Sequence, residues 1–151
     1  MNDYIIVSAF TPNYTEDINR LIKSLKKFNL PYNVYPFESK GSWLHNVQYK
    51  IDVLIQAINE YKDKDIVWVD ADGVIKQYPI LFDSINDDIS FRVNFRNLKR
   101  KNLRGLTTGT LYLKNNNKVK NFLMEWKLKT RKMGSTEQSA LYEMITDNRF
   151  Y

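Results

Sequence analysis

Cysteine is absent from this 151-residue chain, which excludes disulfides and thiolate metal sites. Histidine occurs once, at His45, where a surface or loop position suits it better than a metal-ligand role. No apolar run approaches the roughly 18 residues of a membrane-spanning helix. The N-terminus lacks the charged-then-apolar order of a secretory signal. Linkers, internal repeats and low-complexity tracts are missing as well. These absences predict a soluble, cytoplasmic protein folded as a single small domain over residues 1–151. What the chain does have is material for a core: 43% hydrophobic and 14% aromatic residues exclude a disordered polymer.

The formal charge of +6 says that the surface attracts anions. The densest basic clusters are Lys99-Arg100-Lys101 with Arg104, and Lys127, Lys129, Arg131 and Lys132. Both fall beside predicted loops or helix ends, and no nucleic-acid-binding signature accompanies them. A solvated face or weak contact with an anionic membrane suits them better than a nucleic-acid groove.

Hydrophobic periodicity gives alternating strands and helices. Tyr4 to Ala9 reads as a buried strand, ended by the Thr11-Pro12-Asn13 turn. Ile18, Leu21, Ile22, Leu25 and Phe28 form a helical stripe. A short strand over Asn33 to Phe37 follows, then a second amphipathic helix marked by Val47, Ile51, Leu54, Ile55 and Ile58. Ile66 to Val69 is the third strand. Beyond it, Ile89, Phe91, Val93 and Phe95 alternate with polar residues, and Gly109 to Leu113 makes a further strand. Val119, Phe122, Leu123 and Trp126 mark a third helix; the last starts near Ser135, with Gln138 completing a capping box. The order predicts an α/β domain whose central sheet is mainly parallel and flanked by helices. Trp68 and Trp126 read as core aromatics, and a core position is one reading open to Trp43.

The most informative segment is Asp65-Ile66-Val67-Trp68-Val69-Asp70-Ala71-Asp72-Gly73, an apolar strand running into two carboxylates at i and i+2. In extended backbone those positions share a side. Ligands of open α/β sheets bind outside the carboxyl ends of the strands. Two hard oxygen ligands at that place suit Mg²⁺ or Mn²⁺, which complete their shells with water and phosphate. A divalent-metal site for a diphosphate is therefore expected at Asp70 and Asp72. A solvated turn after the strand is the alternative.

Four ordered segments resemble the GT-A-type glycosyltransferases, the nucleotide-diphospho-sugar transferase fold. They are Ile6 through Tyr14, Gly41-Ser42-Trp43 through Asn46 and Lys50, the Ile66–Asp72 motif continuing through Pro79 and Leu81-Phe82, and Thr108 through Leu113 followed by Trp126 and Glu137-Gln138-Ser139-Ala140-Leu141. The resemblance implies a metal-dependent transfer of a sugar from a nucleotide-sugar donor to a hydroxyl of a glycan, protein or lipid. It places Mn²⁺ or Mg²⁺ on the DxD carboxylates, with Asp72 the main metal ligand and Asp70 a second ligand or ribose contact. Thr11 and Tyr14 then lie near the base, Lys50 near the base or phosphates, and Thr108 and Gly109 face the sugar. Glu137 or Gln138 lies by the reacting centre, Glu137 as candidate general base. A helix-dipole and capping role is the structural alternative for that pair.

Many members of that family take a third metal ligand, often histidine, from a C-terminal segment, whereas this sequence ends at Tyr151. The alternative function is thus a transferase-like domain that binds a nucleotide or glycan without turnover. Val67 through Ile75 also resembles the first motif of haloacid dehalogenase-like phosphatases, with Asp70 as nucleophile. That fold carries the motif on its first strand and needs later Ser/Thr, Lys and acidic motifs, while here only Asp87-Asp88 follow.

Overall fold

The computed structural model describes residues 4–94 and 105–147. Phe95 and the Lys99-Arg100-Lys101/Arg104 cluster lie outside the described residues. Five strands, β1 (Tyr4–Phe10), β2 (Tyr32–Pro36), β3 (Asp65–Val69), β4 (Ile89–Val93) and β5 (Leu106–Leu113), form one sheet in the order β2-β1-β3-β5-β4. Helices α1 (Thr15–Lys27), α2 (Trp43–Glu60), α3 (Asn117–Met133) and α4 (Glu137–Thr146) cover it.

The expected mainly parallel sheet is in fact mixed. β1 pairs in parallel with β2 and β3, but β5 runs antiparallel to both β3 and β4. Sequence periodicity reports which residues are buried and is silent on strand direction, so the reversal of β5 left no mark in the pattern.

Alternation of side chains across the sheet separates two cores. Ile5, Val7, Ile66 and Trp68 face α2, α3 and α4, in a cluster that includes Leu54, Leu123 and Trp126. Tyr4, Ile6, Val67 and Val69 face the opposite way, against Ile18, Leu21 and Leu25 of α1. α1 carries Glu16 and Asp17 in its first turn and Lys26 and Lys27 in its last, matching the helix dipole. It ends with the Leu30 amide bonded to the Leu25 carbonyl and the Asn29 amide to that of Lys26. Asn29 takes the left-handed conformation (φ 51°) that this ending requires. At the outer edge the Tyr35 hydroxyl of β2 donates to Glu60 at 2.9 Å, and burial, reinforced by that carboxylate, pushes its pKa up.

The start of α4 differs from the expected capping box. Thr136, not Ser135, is the N-cap, its hydroxyl accepting from the Ser139 amide at 3.2 Å. Gln138 is thereby released from capping and turns toward β5. No described helix is long and apolar enough to cross a membrane. On α3, Lys127 pairs with Asp52 and Lys129 with Glu143, so part of that basic cluster is neutralised locally.

The topology fixes where a ligand can sit. From β1 the chain crosses over α1 to β2 on one side, then over α2 to β3 on the other. The crevice beyond the carboxyl ends of β1 and β3 is this sheet's topological switch point.

Candidate active site

A cavity of about 430 Å³ opens at that switch point. Thr11 follows β1, Tyr14 closes the adjoining 3-10 turn, and Asp70 and Asp72 follow β3. Lys50 reaches in from α2, Thr108 from β5, and Glu137 and Gln138 from the first turn of α4. Every site residue expected from the sequence lines this one cavity except Gly109, which lies behind the Asp70 carboxylate.

The two aspartates meet for a reason other than strand alternation. β3 ends at Val69, and the Gly73 amide donates to the Asp70 carbonyl at 2.8 Å, so Asp70 to Gly73 form a tight turn. The turn, with Ala71 buried against the α1-side core, brings both carboxylates to the cavity. Gly73 is essential to its closure: an added Cβ would lie 2.6 Å from Val69 Cγ1 and 3.0 Å from the Asp70 carbonyl oxygen. Gly73→Ala is expected to cost about 1–3 kcal/mol through overpacking. Urea unfolding checks this, and a wild-type midpoint would show the turn to be looser than described.

Lys50 is the hub. Buried on α2, it places its ammonium 3.0 Å from Asp70 Oδ1, 2.9 Å from Glu137 Oε1 and 3.2 Å from the Thr108 carbonyl oxygen. The Thr108 hydroxyl oxygen lies 3.3 Å from the same nitrogen, so the three N–H donors of this buried ammonium are all met. The Trp68 ring lies beneath it at 5.4 Å, and the Trp68 indole donates to the same Asp70 Oδ1 at 2.6 Å. Oδ1 is thus doubly engaged. Gly109 leaves room on the other side, where a Cβ would come within 3.3 Å of Oδ2. The Asp70 amide also donates to the Gly109 carbonyl at 2.9 Å, extending the β3–β5 ladder by one bond.

Glu137 is buried, 4% exposed. Its Oε1 also accepts from the Thr108 hydroxyl at 2.9 Å. Gln138 Oε1 accepts from the Thr108 amide at 3.1 Å, docking the start of α4 onto β5. Asp72 is exposed and makes no hydrogen bond or ion pair among the described residues. Thr11 is buried, while Tyr14 is exposed at the rim.

Trp43 does not take the core position that was open to it. Far from packing in the core, it is 66% exposed and lines the cavity. Asn46, Val47 and Phe37 line it as well, although none of them has a named role in the sequence reading of the site. The signal was available: Trp43, Asn46, Val47 and Lys50 sit at i, i+3, i+4 and i+7, one face of α2. Trp68 and Trp126 are buried as expected. His45 is exposed, its Nδ1 3.0 Å from the Ser42 hydroxyl that caps α2.

No family model matches the chain, and no curated protein matches its sequence. Solved structures do match it. A glycosyltransferase involved in the glycosylation of the major capsid of PBCV-1 superposes with a TM-score of 0.70 at 14% identity, over 94% of this chain and 76% of that one. The glycosyltransferase GlyE of Streptococcus pneumoniae TIGR4 gives 0.66 at 14% identity, over 99% of this chain. Its apo form gives 0.68 at 14% identity, over 97%. The match spans 44% of the pneumococcal protein's length. The fold is therefore one found in glycosyltransferases.

Proposed function

We propose that this chain is a metal-dependent glycosyltransferase of the GT-A type, moving a sugar from a nucleotide-diphosphate donor to an acceptor hydroxyl. The observation that carries this reading is electrostatic. The chain as a whole is +6, yet the charged side chains lining the cavity are three carboxylates (Asp70, Asp72, Glu137) and one ammonium (Lys50). A diphosphate brings more charge of the cavity's own sign, so its entry calls for a cation.

The donor set fits one. Asp70 retains Oδ2, and Asp72 offers a carboxylate without a protein partner among the described residues. No group of three or more potential ligand side chains gathers among those residues, which leaves the remaining positions to water and phosphate. Mg²⁺ and Mn²⁺ are commonly held in that way. Bound there, such an ion would supply Lewis-acid stabilisation to a departing nucleoside diphosphate.

The chain's own groups divide the remaining work. Thr11, Tyr14 and Phe37, at the β1–β2 side of the cavity, suit a nucleobase. Lys50 fixes the Asp70 carboxylate and adds a preorganised positive charge beside it. Thr108 and Gln138 supply polar contacts on the β5 side, and Gly109 keeps Asp70 accessible. Glu137 is the candidate base for an inverting transfer; with Oε1 held by Lys50 and Thr108, Oε2 would receive the proton. Glu137→Gln separates that role from one of positioning. Loss of turnover by 100-fold or more, together with one limb of the pH profile, marks the base. An unchanged profile with weakened nucleotide binding marks a residue that only holds Lys50.

Calorimetry with UDP, GDP and CMP, each with and without Mn²⁺, tests the whole reading. One nucleotide is expected to bind only with the metal, and Asp72→Asn to weaken it at least about tenfold, or 1.4 kcal/mol. Metal-independent binding, or full affinity in the variant, would overturn the metal role. The engagement of Glu137 by Lys50 favours one second reading, a domain that binds its nucleotide-sugar without transfer. Donor binding with neither hydrolysis nor transfer would establish that. The phosphatase reading finds no such support: the motif sits on the third strand along the chain, and Asp88 is bound by Asn116 and Lys118.

A further inference from the structure

The α2 residues that line the cavity grade from solvent to core. Trp43 is exposed, Asn46 and Val47 are half-buried, and Lys50 is buried. All four share one face of the helix, so that face runs from the mouth of the cavity to its floor. Seven residues of helix, at about 1.5 Å each, separate Trp43 from Lys50 by about 10 Å along the axis. Lys50 in turn lies 2.9 Å from Glu137 Oε1. Trp43 therefore stands at the mouth of the cavity that holds the candidate base, on the wall that α2 provides.

A large aromatic left in water at a cavity mouth forgoes the stabilisation that burial would bring. The backbone that presents it is nevertheless fixed. The Asn46 side-chain oxygen accepts from the Lys40 amide at 2.7 Å, and its nitrogen donates to the Ser39 hydroxyl at 3.3 Å. Ser42 caps the helix by accepting from the His45 amide at 3.2 Å. Trp43 is thus held by the residues on either side of it rather than by packing of its own ring. An uncovered ring on preordered backbone suits a ligand platform.

Its surroundings say which ligand. Ser39, Lys40, Gly41 and Ser42 precede it, and Asn46 and Thr136 line the same cavity. Among the described residues, Tyr14 is the one other exposed large apolar side chain in the lining. An alkyl chain calls for contiguous apolar surface. A pyranose ring, apolar on its C–H faces and polar around its edge, calls for one flat apolar surface among polar neighbours.

We infer that the acceptor is a carbohydrate chain of at least two linked sugars: the terminal ring presents its hydroxyl to Glu137, and the next ring stacks on Trp43. The separation along α2, about 10 Å, is long for a single pyranose and suits two. This rests on the transfer reading above, in which Glu137 receives the acceptor's proton while Thr11 and Tyr14 face the base.

The test uses the Trp43 indole as its own reporter. Trp68 and Trp126 are buried, and Trp43→Phe assigns the exposed indole N–H in a ¹⁵N NMR spectrum. The whole chain, with Mn²⁺ and each of UDP, GDP and CMP in turn, is titrated with cellobiose, maltose, lactose and diacetylchitobiose. The methyl glycosides of glucose, galactose and N-acetylglucosamine serve as single-ring controls. At least one disaccharide is expected to shift the Trp43 signal and to bind at least about tenfold more tightly than its single-ring controls. Trp43→Ala is expected to erase that advantage and Trp43→Tyr to keep most of it. Equal binding of single and paired rings, no binding of any sugar, or an advantage that survives Trp43→Ala overturns the inference. So does a loss of nucleotide affinity of about tenfold in Trp43→Ala, because the ring then belongs to the base. Octyl glucoside, below its micelle-forming concentration, carries an alkyl chain in place of the second ring. If it outbinds every disaccharide, the occupant is a lipid chain and the inference fails. A failure of the transfer reading shows separately, as an Asp72 region that ignores all three nucleotides with Mn²⁺.

Discussion

Lys50→Met is expected to destabilise the protein by about 3–5 kcal/mol, the usual cost of removing one partner from a buried ion pair. Most of that cost falls on Glu137. Its side chain is 5% exposed, so once the ammonium is gone the carboxylate keeps only the Thr108 hydroxyl and little access to water. Asp70 suffers less, because its side chain is 40% exposed and is screened by solvent. Methionine keeps the length of the stem and its packing over Trp68, so the measured loss is the loss of charge. Lys50→Met/Glu137→Gln is expected to recover much of the stability, since removing both charges leaves no uncompensated ion. A double-mutant cycle in urea reads the coupling directly. A single-variant loss below about 1 kcal/mol would mean that the pair is solvated, and would remove Lys50 as the organiser of the site.

Trp126→Ala is expected to have a comparable effect on stability, about 3–5 kcal/mol. Trp126 is among the largest fully buried side chains, packed beside Leu123 where α3 meets α4. Its indole donates to the Glu137 carbonyl at 2.7 Å. Truncation therefore opens a cavity and also unfastens the residue that holds Lys50. Trp126→Phe separates the two effects: it keeps most of the apolar volume and is expected to lose about 1–1.5 kcal/mol with the hydrogen bond. Thermal or urea unfolding of both variants checks the order. Equal losses would show that the hydrogen bond, rather than the packed volume, dominates.

Much of this architecture was legible because burial is periodic. The stripe through Ile18, Leu21 and Leu25 and the apolar run before Asp70 state their own structures. The candidate site was legible where it follows a strand: Thr11 and Asp70 sit where any α/β sheet presents its ligands. The Lys50–Glu137 pair was not, because its partners are 87 residues apart and meet only through the packing of α2, α3 and α4. Trp43 stayed open because hydrophobicity alone does not separate a core aromatic from one at a cavity mouth, which can remain exposed. The direction of β5 was hidden for a related reason: an internal strand needs apolar residues on both faces whichever way it runs.

That reversal has a consequence for how the molecule is assembled. β1, α1, β2, α2 and β3 can pair in the order in which they leave the ribosome. Asp70, by contrast, acquires its strand-side neighbour only when Gly109 docks, 39 residues later in the chain. Closing so long a loop is entropically costly and slow compared with local contacts. A nascent chain thus displays both aspartates well before the strand that braces Asp70 has been made. The finished geometry around Asp70 is a late event in maturation, arriving with β5 and α4 rather than with the motif itself.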